Sequence, residues 1–110
     1  MRKNWTGKVI WGVNVLVATI MICPSAKADE KSAALYKQKC VMCHGADGKG
    51  ETPAGKAMKA RDFHSPDVAK ETDAELAEIV KKGKGKMPAY GSKLSDEEIK
   101  GVIEYIRSLK

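Results

Sequence analysis

An all-α domain is what this sequence predicts, on three observations. Two capping boxes, Thr72-Asp73-Ala74-Glu75 and Ser95-Asp96-Glu97-Glu98, each open a stretch with apolar residues at helical spacing. Loops marked by glycine and proline separate the helical stretches. No stretch shows the sustained alternation of apolar and polar residues that a half-buried strand requires.

The elements come in chain order, after a leader. Arg2, Lys3 and Lys8 give a basic start, and Val9 to Ile22 is an apolar run broken by Gly12, Asn14 and Thr19. Pro24 and Ser25 then lead to Ala26-Lys27-Ala28, a small-x-small pattern before Asp29. That layout predicts a secretory signal peptide over 1–28, cleaved in the mature protein, with an uncleaved membrane anchor as the alternative. Cys23 lacks the small residues before it that a lipid-modified cysteine would want, so it is read as discarded with the leader. The domain is then 29–110, room for one small unit. Taking Arg2, Lys3, Lys8 and Lys27 from the 20 basic residues leaves 16 against 14 acidic ones, a formal charge of +2. That balance gives no support to general nucleic-acid binding. Only Cys40 and Cys43 remain after cleavage, too few and too close to form a stabilising disulfide framework.

The first helix is expected from about Lys31 to Lys39, with Ala33, Tyr36 and Cys40 on one face. It delivers Cys40-Val41-Met42-Cys43-His44. Two thiols three residues apart lie on one side of a helical turn, so each can add to one of the two vinyl groups of a porphyrin. The adjacent His44 is placed to send an imidazole nitrogen to the iron, and the pattern reads as c-type haem attachment. A zinc site would need two more ligands, for which only His64 and carboxylates remain. A thioredoxin-like pair would need alternating strands and helices, which this chain lacks.

Gly45, Gly48, Gly50 and Gly55 with Pro53 form a loop suited to a chain hugging a flat cofactor; no strand precedes it and no G-K-[ST] closes it, so it is not a phosphate cradle. Met58 to Phe63 is expected as a short irregular helical turn. The second clear helix starts at the Thr72 box, carries Leu76, Ile79 and Val80, and stops at Gly83. The third starts at the Ser95 box and carries Ile99, Val102, Ile103 and Ile106.

A second iron ligand is sought among Met42, Met58 and Met87. Met42 lies inside the attachment turn on the histidine side. Met58 is a candidate. Met87 is preferred, because Lys84-Gly85-Lys86-Met87-Pro88 is a loop between two well-signalled helices, and Pro88 favours an extended Met87. His64 is the rival, read as an ordinary exposed loop histidine. The second ring nitrogen of His44 is expected to donate to the carbonyl of Pro53 or a neighbour.

With both ends of the iron located, the chain resembles the small bacterial class I cytochromes c over the whole of 29–110. Ala34-Leu35-Tyr36 through Cys40–His44 to Gly50 looks like that family's first helix and haem-binding segment. Met87-Pro88-Ala89-Tyr90 and Leu94-Ser95-Asp96-Glu97-Glu98-Ile99 through Leu109 look like its methionine loop and last helix. The resemblance implies the cytochrome c fold, three main helices and loops around one covalent haem c with its iron. It implies that the first and last helices cross, bringing Tyr36 and Ser32 or Ala33 against Val102 and Tyr105, although Ser32 stands where a glycine is common. The tryptophan that larger relatives use near a propionate has no counterpart after the leader, and Lys56, Lys59 or Arg61 is expected to serve instead.

The function expected is a monomeric, exported, periplasmic carrier of one electron between redox partner proteins, with His44 and Met87 on the iron and no enzymatic activity. Lys81, Lys82, Lys84, Lys86 and Lys93 cluster in sequence around Met87 and would steer partners with acidic docking surfaces. The alternatives are a small haem enzyme or sensor with an open iron position, and a haem-binding subunit of a larger membrane complex.

Overall fold

A computed structural model describes residues 26–110, together with residues 12, 18 and 19. The leader reading over 1–28, with Cys23, thus lies almost wholly outside the described residues; its last three positions, 26–28, fall within the first turn of helix. Six helices run in order: α1 (Ala26–Lys39), α2 (Val41–His44), α3 (Pro53–Met58), α4 (Pro66–Lys70), α5 (Asp73–Lys82) and α6 (Asp96–Ser108). Among the described residues there is no strand, and a single isolated bridge joins Lys84 and Met87. The three longest helices, α1, α5 and α6, correspond to the three expected from the sequence.

Local chemistry explains where each begins. At α5 the Thr72 hydroxyl accepts from the Glu75 amide while the Glu75 carboxylate accepts from the Thr72 amide, and Ser95 and Glu98 repeat this reciprocal pair at α6. The two short helices α3 and α4 start in another way. Thr52 and Ser65 cap the Gly55 and Val68 amides, and Pro53 and Pro66 occupy the first helical position, where no amide hydrogen is needed. The helix therefore precedes the expected Met58–Phe63 turn rather than filling it, and ends at Met58 with Lys59 in the left-handed region at φ 55°.

The core is one cluster: Tyr36, Val68, Leu76, Val80, Leu94, Ile99, Val102, Ile103 and Ile106. Helix α6 is its centre, packing against α1 on one side and α5 on the other, while α2 links α1 to α3. Arg107 of α6 fastens the α4–α5 corner: Nε donates to Asp73 Oδ1 at 3.0 Å, Nη1 to the Val68 carbonyl at 3.3 Å, and Nη2 to the Glu71 carbonyl.

The α1–α6 crossing forms with Tyr36 and Val102 fully buried and the Tyr36 and Tyr105 rings 5.2 Å apart. Ser32 is the small α1 residue buried at the crossing, and its partner on α6 is smaller still. Gly101 faces Ser32, and a Cβ there would run into the Ser32 hydroxyl. A serine on α1 is accommodated because α6 presents bare backbone.

Gly101→Leu is accordingly expected to cost about 2 kcal/mol in urea unfolding of the holoprotein, through overpacking at the crossing. Gly101→Ala should be close to neutral, since the Ser32 hydroxyl can rotate away and alanine gains about 1 kcal/mol of helix propensity. A Ser32→Gly background should relieve part of the leucine penalty; equal costs in both backgrounds would show that Ser32 does not set the spacing.

Candidate haem-binding site

The attachment turn is built by backbone hydrogen bonding at the end of α1. The Cys40 amide donates to the Tyr36 carbonyl at 2.9 Å, and the chain then tightens into α2, with His44 N donating to Cys40 O at 2.9 Å and Gly45 N to Val41 O at 2.8 Å. Cys40 and Cys43, both half-buried with free thiols, are thereby placed a helical turn apart, as their spacing predicts. Burial, and then the neighbouring Cys43, push the Cys40 thiol up to about 11, so it stays a neutral thiol at ordinary pH.

The chain beyond the turn is held against it. Tyr36 Oη donates to the Gly45 carbonyl at 2.6 Å inside the core, and burial raises this phenol above its usual range. Thr52 Oγ1 lies 2.7 Å from the Met42 carbonyl, to which it donates, and 3.1 Å from that of Cys43, while it accepts from the Gly55 amide at 2.9 Å. Gly55 itself passes so close to the Cys43 carbonyl that a Cβ would overlap it, and would meet the Gly50 carbonyl at 2.6 Å on another side. One hydroxyl and one missing side chain thus lock α3 onto α2.

His44 is set by a carbonyl, but not by the one expected. Its Nδ1 is 3.2 Å from the Arg61 carbonyl, rather than that of Pro53 or a neighbour, because Pro53 has been drawn into α3. With Nδ1–H donating there, Nε2 keeps its lone pair. Burial lowers the imidazole's pKa below its ordinary value, against an opposing contribution from the Arg61 bond, and so favours the neutral form that can ligate a metal. Phe63 stacks on the ring, centroids 4.4 Å apart.

Met87 sits on a short hairpin. Lys84 N donates to Met87 O at 3.2 Å and Met87 N to Lys84 O at 2.9 Å, across a two-residue turn with Gly85 at φ 57°. Beyond it, the Tyr90 amide donates to Val80 O at 2.9 Å and the Gly91 amide to Lys81 O at 3.0 Å, while Tyr90 Oη reaches Lys39 O at 3.2 Å. The chain just beyond Met87 is thus fixed to the ends of α5 and α1.

These parts meet in one open, largely apolar cleft. Cys40, His44 and Met87 line it with Arg61, Phe63 and the aliphatic faces of α4, α5 and α6. Cys43 is not on its lining. Met58 and Met42 are exposed and outside it, and the exposed His64 instead bonds the Asp47 carbonyl through Nε2 at 2.7 Å. Among the described residues no group of three or more His, Cys, Asp or Glu is arranged to hold a metal ion, as zinc would need. An apolar wall carrying one imidazole, one thioether and a single guanidinium fits a flat apolar macrocycle with anionic substituents. The sequence did not single out Thr52, Phe63 or Glu71, whose carboxylate holds Arg61 Nη1 with both oxygens at 3.0 Å. Only Thr52 had a signal, the Thr-Pro that begins α3.

This fold and cleft define a haem protein of electron transfer with covalently bound haem c. The chain belongs to the c-type cytochromes, its residues 27–106 matching the family described as cytochrome c oxidase, cbb3-type, subunit III. Cytochrome c6 of Microcystis aeruginosa is 34% identical over 74 residues, 67% of this chain and 88% of that protein. The cbb3-type cytochrome c oxidase subunit CcoP of Azospirillum brasilense is 30% identical over 86 residues, 76% of this chain but 29% of that longer protein. In three dimensions the KustC0563 c-type cytochrome superposes with a TM-score of 0.66 at 33% identity, covering 72% of this chain and 96% of that one.

Gly55→Ala should force α3 off the attachment turn, at a cost of about 2–4 kcal/mol in denaturant unfolding of the holoprotein. Thr52→Val should cost about 1–2 kcal/mol through the lost cap and carbonyl bonds. Wild-type stability in Gly55→Ala would mean that α3 does not press on Cys43.

Proposed function

We propose that the protein is a soluble one-electron carrier, exported after cleavage behind Ala28, whose haem c is bonded through Cys40 and Cys43 and whose iron is held by His44 and Met87. The observation that carries this reading is that, of the methionines 42, 58 and 87, Met87 is the one lining the cleft that also holds Cys40 and His44. The haem supplies the ferrous–ferric couple; the chain's own residues supply everything else. His44, kept neutral by burial and oriented by the Arg61 carbonyl, gives a nitrogen from the attachment side. Met87 gives a soft thioether, which favours the reduced state and raises the potential relative to two histidines. The aliphatic walls from α4, α5 and α6 exclude water. His44 and Met87 would together hold the iron, and the haem would then supply electron transfer without ligand exchange.

Docking of acidic partners rests on lysines that are partly committed elsewhere. Lys81 pairs with Asp96 at 2.9 Å, Lys82 with Glu78 at 2.8 Å, and Lys93 lies over the Tyr90 ring. Exposed pairs of this kind hold weakly and can be exchanged for a partner's carboxylates.

A second reading, a haem-bearing subunit of a membrane oxidase, is favoured by the family description and by the likeness to CcoP. No helix of the described residues is long and apolar enough to cross a membrane. Co-purification from native membranes with an oxidase would select that reading.

Two outcomes are expected. The ferric protein should show the weak far-red band of iron–thioether coordination, lost in Met87→Ala and kept in Met58→Ala; rapid carbon monoxide binding by the reduced wild type would instead reveal an open iron position. Raising ionic strength from about 0.01 M to 0.15 M should slow reaction with an acidic partner several-fold, and an unchanged rate would remove the lysines from the account.

A further inference from the structure

Lys86 stands apart from its neighbouring lysines, because its ammonium donates to a main-chain carbonyl of a helix distant in sequence. Its Nζ is 3.2 Å from the carbonyl of Ala57, 29 residues earlier in the chain. Ala57 is in the last turn of α3, where a carbonyl has no intrahelical donor. Among the described helices α3 packs on α2 alone and makes no helix contact with α5 or α6. The bond therefore ties the Met87 hairpin to a helix that the helical packing leaves unjoined to α5 and α6. Its other end is stiff: the paired Lys84–Met87 backbone bonds make the turn a single unit, so what holds Lys86 also holds Met87. The bonds from Tyr90 and Gly91 fasten the chain beyond the methionine, not the tip of the hairpin.

We infer that Lys86 is a positioning residue, a latch from the tip of the Met87 hairpin to the end of α3 that keeps the methionine sulfur seated in the cleft. The inference rests on Met87 as iron ligand. A neutral thioether is a weak ligand for ferric iron, so its occupancy against a nitrogen competitor depends on how firmly the chain presents it. Releasing the latch lets the hairpin swing out as a unit and raises the fraction of time the sixth position can be taken.

The test is imidazole titration of ferric holoprotein, followed by loss of the far-red band and by stopped-flow. Lys86→Ala should bind imidazole about three- to tenfold more tightly, and faster, than wild type, as expected for losing one exposed charge-assisted bond. Lys86→Arg, which can still donate to the Ala57 carbonyl, should stay within about twofold of wild type. Lys100→Ala removes an equal charge on α6 and should change nothing. Wild-type binding by Lys86→Ala overturns the latch, as does an equal shift in Lys100→Ala, which would make the effect one of net charge. Met87→Ala without imidazole separates the two claims. Band loss there with no effect of Lys86→Ala sinks the latch alone, whereas a band that persists there sinks the ligand assignment and the latch with it.

Discussion

Everything in this molecule is arranged around a five-residue turn that must hold two thiols and an imidazole in fixed relation while leaving one side of them clear. The backbone bonds from Tyr36 to Cys40 and from Cys40 to His44 make the turn. Chain contacts then prevent it from unwinding: Tyr36 from beneath, Thr52 and the bare backbone of Gly55 from the side, and the Arg61 carbonyl on the imidazole. Little of this is hydrophobic energy. It is steric and hydrogen-bonding constraint, concentrated on residues 36–61, and it leaves the aliphatic faces of α4, α5 and α6 to form the opposite wall of a cleft.

The two halves of that cleft are held in different ways. The α1–α6 crossing, with Tyr36 and Val102 buried and Gly101 admitting Ser32, fixes the attachment turn to the core. Arg107 fixes the α4–α5 corner to the same α6. The arm formed by α3 has no such support, since it packs on α2 alone among the described helices. A covalently bound haem c would complete a core that the chain's four aromatic residues after position 28 do little to fill. The fold and the prosthetic group are thus parts of one packing problem.

Much of this is legible in the sequence, and the reasons differ by residue. The capping boxes at Thr72 and Ser95 specify helix starts through local bonds, so they form as read. The spacing of Cys40, Cys43 and His44 is itself the geometry. Met87 is preferred over Met58 because it lies between two strong helix signals, and it lines the cleft with Cys40 and His44. Helices α3 and α4 escape such a reading, though Thr52-Pro53 and Ser65-Pro66 are start signals, because four- to six-residue helices show no periodicity. The acceptor for His44 is Arg61 rather than Pro53, since every residue has a carbonyl and only the folded path selects among them. Gly101 carries no local signal of its role, which exists only through Ser32, its partner across the crossing. The lysines near Met87 read as one basic cluster, yet Lys81, Lys82 and Lys86 each have a partner that lies elsewhere in the chain or a turn away.

The most direct measurement is intact-mass spectrometry of the protein produced in cells with a working haem-attachment apparatus, followed by peptide mapping. The account predicts a polypeptide trimmed behind Ala28 and heavier by one haem, with the added mass on the peptide that carries Cys40 and Cys43. A folded, colourless chain of bare polypeptide mass would contradict it.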